Sequence, residues 1–146
     1  MNVVRSESEG SGEFPTAIVI PIASDLDIIR ARQTARSLAM KLGFAPGDLA
    51  VIATAISELA RNIAVYAGRG EIYMSGIIDG SRRGMTVVAR DEGPGIADVE
   101  KALTPGFSTS GSLGLGLPGV RRLMDDFAIV SQPGRGTEVR VRKWSI

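Results

Sequence analysis

Glu58 and Asn62 stand four residues apart in the run I-S-E-L-A-R-N-I-A-V-Y-A. On a helix that spacing puts a carboxylate and an amide on one face. The carboxylate can orient or deprotonate an attacking hydroxyl. The amide oxygen is a hard donor suited to Mg²⁺, an ion that also binds phosphate oxygens. Taken alone, the pair is better explained as a structural hydrogen-bond pair or as the wet margin of a helix, because polar groups on an inner helix face need partners. A second group of residues runs from Asp91 to Gly119 as D-E-G-P-G-I, T-P-G-F-S-T-S-G-S and L-G-L-G-L-P-G. Asp91 ends an apolar run and offers a carboxylate acceptor, which suits the exocyclic amine of a purine. Gly93 and Gly95 would let a flat ring approach the backbone. Gly111, Gly114 and Gly116 precede a helical segment and can present N–H groups to phosphates. Glycine patterns of this kind are common, and read alone the stretch is equally a surface loop. Appearing together and in this order, Glu58, Asn62, Asp91 and the glycines point to a nucleotide phosphate held under a mobile loop.

Composition narrows the chemistry. The chain has 146 residues, 44% of them hydrophobic and 23% charged, with a net charge of +1. That length suits one domain with a sizeable core. Cysteine is absent, which excludes disulfides and thiolate chemistry and suits a reducing compartment. Histidine is also absent, so the commonest general base and transition-metal ligand are missing, as is any phosphohistidine acceptor within the chain. The near-neutral charge implies neither nucleic acid nor membrane as a partner. The N-terminus lacks the apolar core of a signal peptide, and a cytoplasmic protein is expected.

The elements that must position these residues follow from periodicity. Residues 1–14 are polar and rich in Ser, Glu and Gly, and read as a flexible tail; residues 15–146 form the domain. Thr16–Ile22 reads as a strand. Ser24 begins a helix with Asp27 in a capping-box-like position, and Gly43 stops it. Arg30, Arg32, Arg36 and Lys41 read as its solvated face. Pro46–Ala67 reads as a second, longer helix that carries Glu58 and Asn62. Glu71–Ile78 and Met85–Arg90 form a hairpin. Asp98–Leu103 allows one or two helical turns, and Thr104–Ser112 is expected to be mobile. Leu115–Asp126 reads as the last helix, with Pro118 in its first turn. Phe127–Ser131 and Thr137–Lys143 are two closing strands. The expected architecture is α+β: a two-layer sandwich in which a mixed, mostly antiparallel sheet is covered on one face by helices.

At this point the chain resembles a known family. I-S-E-L-A-R-N-I-A-V-Y-A, D-E-G-P-G-I, G-L-G-L-P-G and G-R-G-T-E-V are similar to the four signature boxes of the GHKL (Bergerat-fold) ATPases. Adding G-F-S-T-S-G and G-L-P-G-V-R-R-L-M-D-D-F, the chain resembles the serine/threonine kinase and switch proteins of the bacterial stressosome, from Ile18 to Trp144. The resemblance implies ATP and Mg²⁺ as cofactors. It implies Glu58 as the catalytic carboxylate and Asn62 as the Mg²⁺ ligand. Asp91 would bind the adenine amine in a pocket shaped by Gly93 and Gly95, with Ile96 beside them. Thr104–Ser112, including Thr109, Ser110 and Gly111, would be the ATP lid. Gly114, Leu115 and Gly116 would hold the phosphates, and Thr137 would complete the adenine site. The partners implied are STAS-domain scaffold proteins (RsbS-like and RsbR-like) as substrates and a PP2C-type phosphatase (RsbU-like) as output. One departure is plain: relatives that act as anti-sigma kinases commonly carry an arginine just before the second glycine box, and S-G-S-L-G holds none. Arg61 and Arg121 are substitutes to consider, with plain surface charge the simpler account of both. Three alternatives remain open: an anti-sigma factor kinase that binds a sigma factor directly, a nucleotide-gated binding module without catalysis, and a detached histidine-kinase catalytic domain.

Overall fold

The computed structural model describes residues 2–6, 17–104 and 116–145. The element order is β1 (Asn2–Ser6), β2 (Ile18–Ile22), α1 (Asp25–Lys41), α2 (Pro46–Asn62), a π-helical turn (Ile63–Ala67), β3 (Gly70–Asp79), β4 (Arg82–Asp91), α3 (Val99–Ala102), α4 (Gly116–Leu123), β5 (Asp126–Gln132) and β6 (Gly136–Ser145). The strands form one sheet in the order β1-β5-β6-β4-β3-β2. Every neighbouring pair is antiparallel. The sheet is therefore antiparallel throughout rather than mixed, with two hairpins, β3–β4 and β5–β6, and three pairings made across longer connections.

The two layers meet over a continuous apolar core. Along β3 and β4, Ile72, Met74, Met85 and Val87 are completely buried, and Ile129 and Val141 continue that inner face onto β5 and β6. Ala31, Ala35 and Ala39 of α1 and Ile52, Ala55 and Ile56 of α2 close over them. Alanine at these α1 positions lets the helix approach closely, which suits its packing against α2. The run Pro46–Ala67 has 22 residues and contains an 18-residue window with a mean hydropathy of 1.3, enough to pass as a membrane span by length and composition. Its apolar face is instead committed to this core, with Leu49, Ile52, Ala55, Ile56 and Leu59 all buried.

The structure corrects several sequence expectations. Residues 2–6, placed in a tail, form an edge strand paired with β5 from Asn2↔Ser131 to Ser6↔Phe127. The open edge of β5 supplies the unpaired ladder groups that such a short run needs. The second helix is α-helical only to Asn62, and its last turn widens into a π-turn. β3 and β4 run longer than read, to a two-residue turn at Gly80 and Ser81. The last helix ends at Leu123, and Asp126 begins β5. Asp27 does serve the start of α1, accepting from Ala23 N–H at 2.9 Å and from the Ser24 hydroxyl at 3.2 Å.

Phe127 is among the largest fully buried side chains, whereas Leu26 on α1 is 63% exposed. Phe127→Ala is expected to cost about 3–5 kcal/mol, and Leu26→Ala no more than about 0.5 kcal/mol. Urea denaturation of both variants checks this contrast.

Candidate active site at the end of the central strand

The site is built outward from Asp91. It is the last residue of β4, with Gly70 of β3 on one side and Thr137 of β6 on the other. Its carboxylate accepts from Gly93 N–H at 2.9 Å and also from the Thr137 backbone N–H. Burial pushes the Asp91 carboxyl above the ordinary carboxylate range, and these two backbone donors pull it back only in part. The pair of N–H groups fixes the carboxylate's orientation while leaving acceptor capacity for a further donor.

The loop after Asp91 is shaped by close packing. A side chain on Gly93 would run into Ala67 of the π-turn, with Ala67 Cβ 2.6 Å from where its own Cβ would lie. Gly95 has φ +77°, and a Cβ there would strike the Gln132 carbonyl. These glycines thus let protein segments meet, where the sequence suggested a ring approaching bare backbone. Gly136 is the third such position: its φ is +103°, and a Cβ would meet the Asp91 carbonyl.

Ser131 is a hub that the sequence reading missed. It is 1% exposed, and its hydroxyl accepts from Ile96 N–H at 2.7 Å. It also lies 3.2 Å from the Gly136 carbonyl and 2.8 Å from the Thr137 hydroxyl. A serine has one proton to donate. If it goes to the Gly136 carbonyl, the Thr137 hydroxyl donates to Ser131 and keeps its own lone pairs for a ligand. Ile96 and Thr137 are thus held by one buried side chain. The β5–β6 turn closes the arrangement, with Gly134 N–H donating to the Pro94 carbonyl at 2.8 Å. Inner-face polarity on β5 was the only sequence signal for Ser131, and it does not reveal three-way bonding.

Glu58 and Asn62 lie one turn apart at the end of α2, so they share a face. Glu58 is 4% exposed. Its Oε1 lies 3.4 Å from Arg61 Nη1, and its Oε2 is buried with no hydrogen-bond partner among the described residues. Orphaned buried acceptors are rare and mark places where a ligand or water is expected. Asn62 is only partly buried. The π-turn that follows connects this face to the Asp91 loop. Gly68 N–H donates to the Ile63 carbonyl at 2.9 Å, the five-residue step that widens the turn. That step sets Ala67 beside Gly93 and places Ile63 over Gly70, the strand neighbour of Asp91. Single π-turns recur at functional sites. Tyr66 on this turn is 46% exposed at the rim.

Gly116 begins α4 with φ +49°, and α4 packs against α2. Thr109, Ser110, Gly111, Gly114 and Leu115 lie outside the described residues. The structure thus brings Glu58 and Asn62 together on one helix face and groups Asp91, Gly93, Gly95, Ile96 and Thr137 around one loop, joined by the π-turn. Among the described residues no group of three acidic, histidine or cysteine side chains is placed to hold a metal. Asn62 Oδ1 is a hard oxygen of the kind that Mg²⁺ favours, and that ion commonly takes one or two protein ligands and completes its shell with phosphate and water.

Comparison with known proteins follows this geometry. The model of the histidine kinase-like ATPase domain matches residues 22–143. The chain is 51% identical over 125 residues to the serine/threonine-protein kinase RsbT of Bacillus subtilis, covering 86% of this chain and 94% of that protein. It is 34% identical over 120 residues to the anti-sigma F factor of the same species, covering 77% and 81%. A solved structure of the RsbU and RsbW domains of Rv1364c from Mycobacterium tuberculosis superposes with a TM-score of 0.59 at 19% identity, covering 90% of this chain and 33% of that one. The expectations of a GHKL-type α+β fold and of a protein serine/threonine kinase both hold.

The sign of the Asp91 effect on stability is fixed by its direction. A carboxyl raised in the folded state is easier to protonate there than in the unfolded chain, so its ionised form costs stability. The cost is absent at pH values where both states are protonated and grows as pH rises through the folded pKa. Asp91→Asn removes the titration. Its stability relative to the unsubstituted protein is expected to improve from acid to neutral pH, as read by chemical denaturation at several pH values. Ser131→Ala, which removes the hydroxyl shared by the Ile96 N–H, the Gly136 carbonyl and Thr137, is expected to cost about 1–3 kcal/mol in the same assay.

Proposed function

We infer that this chain, which belongs to the histidine kinase-like ATPase domain family, is an Mg²⁺·ATP-dependent serine/threonine kinase and switch protein of bacterial stress signalling. The observation that carries this reading is Glu58 Oε2, a buried carboxylate oxygen without a partner among the described residues, one helical turn from Asn62. A merely structural glutamate at that depth would have both oxygens engaged.

When bound, Mg²⁺·ATP supplies the transferable phosphoryl group and part of the neutralising charge. Asp91 accepts a hydrogen bond from the adenine amine through the oxygen capacity that Gly93 and Thr137 leave free. Thr137 presents its hydroxyl to the base, directly or through water. Asn62 Oδ1 would be the protein's ligand to the metal. Glu58 Oε2 accepts the proton of the substrate serine or threonine as that hydroxyl attacks, and afterwards gives it up to solvent. Gly116 begins α4, and the N–H groups of a helix's first turn favour phosphate. Thr109, Ser110, Gly111, Gly114 and Leu115 would cover and hold the phosphates.

The similarity to RsbT supports substrates of the STAS-domain class (RsbS-like and RsbR-like), which also act as scaffold in the cytoplasm. Phosphorylation releases the kinase to activate a PP2C-type phosphatase (RsbU-like). A second reading, an anti-sigma factor kinase that binds a sigma factor directly, draws on the 34% identity to the anti-sigma F factor.

The test is transfer of labelled γ-phosphate from ATP to STAS proteins of the same genome, with phosphosite mapping. Glu58→Ala is expected to lower the transfer rate about 10²- to 10⁴-fold while nucleotide still binds. Asp91→Asn is expected to abolish nucleotide binding. Normal binding and transfer by Asp91→Asn would refute the site, and transfer to no STAS protein together with capture of a sigma factor would favour the second reading.

A further inference from the structure

The Glu58–Arg61 ion pair has a feature that the general-base role does not use. It joins an interior group to a surface one: the Glu58 side chain is 6% exposed and that of Arg61 is 40%. The contact is a single one at 3.4 Å. It lacks the two parallel bonds of a strong guanidinium–carboxylate pair. The guanidinium reaches the surface and can turn to another anion, while the buried carboxylate it leaves needs a new partner.

Its position on the helix is also informative. At about 100° per residue, Asn62 lies about 40° to one side of Glu58, and Arg61 about 60° to the other. A phosphoryl group beside Glu58 would meet the metal on the Asn62 side and the guanidinium on the opposite side. The connection from residue 105 to residue 115 contains no lysine or arginine. Arg121 and Arg122 lie in the last turn of α4, at the end away from Gly116. Arg69 precedes Gly70, the strand neighbour of Asp91, which is the nucleobase end. One divalent ion offsets only part of a triphosphate's charge, and guanidinium is the side chain best matched to phosphate oxygens.

We propose that Arg61 is the residue that distinguishes a nucleoside triphosphate from a diphosphate at this site, by exchanging Glu58 for the terminal phosphate. The exchange frees Glu58 Oε1, the oxygen beside Oε2, when a transferable group is present. This rests on the reading of the site as a nucleotide site, and deepens it.

The test uses the full chain with Mg²⁺, and competition binding of ADP and of a non-hydrolysable ATP analogue. The unsubstituted protein is expected to prefer the analogue. Arg61→Ala is expected to weaken analogue binding about 10- to 100-fold, with ADP affinity within about twofold of normal. Arg61→Lys should restore part of the preference, since it returns the charge without the fork. Glu58→Gln, which releases Arg61 from its partner, should increase the preference. If Arg61→Ala keeps the unsubstituted preference, or if both nucleotides weaken equally, Arg61 only supports α2 and the proposal is overturned. Failure of the nucleotide site itself would show separately, as unchanged ADP binding in Asp91→Asn.

Discussion

The carboxylate of Asp91, tied to the backbone N–H groups of Gly93 and Thr137, is the constraint on which the site depends. It sits at the end of β4, where the ladders to β3 and β6 both terminate. Each neighbouring segment is fitted to that point. Gly136 brings β6 so close that its own Cβ would strike the Asp91 carbonyl. The Pro94 carbonyl takes the N–H of Gly134, so the β5–β6 turn braces the loop after Asp91. Ser131 ties Ile96 to Thr137 from beneath. A carboxylate desolvated in this way costs the free protein stability, and the surrounding N–H groups and turns are what keep it there.

The second half of the site reaches the first through backbone geometry. α2 is a core helix, and its buried side fixes the rotation that points Glu58 inward. The π-turn then carries the chain from Asn62 to Gly70 by way of Ala67 and Gly93. An ordinary α-helical ending would rotate the residues after Asn62 out of that contact. Glu58, Asn62 and Asp91 therefore depend on one irregular turn for their relative placement.

Much of this was legible in the sequence. The helical spacing that aligns Glu58 and Asn62 with Val51 and Ala55 placed them on a partly inward face. The strand pattern placed Asp91 at a strand end, and the glycines after it marked a tight bend. Three features were not legible, each for a physical reason. I-A-V-Y-A is compatible with α and π turns alike, because the choice is made by the packing of Ala67 on Gly93. Ser131 lies in D-F-A-I-V-S-Q, where alternation reveals its face and not its partners. Asn2–Ser6 is too short to announce a strand, and it forms one where β5 offers an unpaired edge. The glycines at 93 and 95 were placed correctly, while their role came from contacts distant in sequence.

The claim that Asp91 is a nucleobase acceptor makes a chemical demand. A carboxylate accepts from the adenine amine and faces a carbonyl oxygen at the same position of guanine. The direct measurement is an amide NMR titration with Mg²⁺·ADP and with Mg²⁺·GDP, observing the Gly93 and Thr137 N–H groups. The account predicts that both amides shift with the adenine nucleotide and stay in place with the guanine nucleotide at the same concentration. Equal shifts with both nucleotides, or no shift at Gly93 and Thr137 while ADP binds, would contradict it.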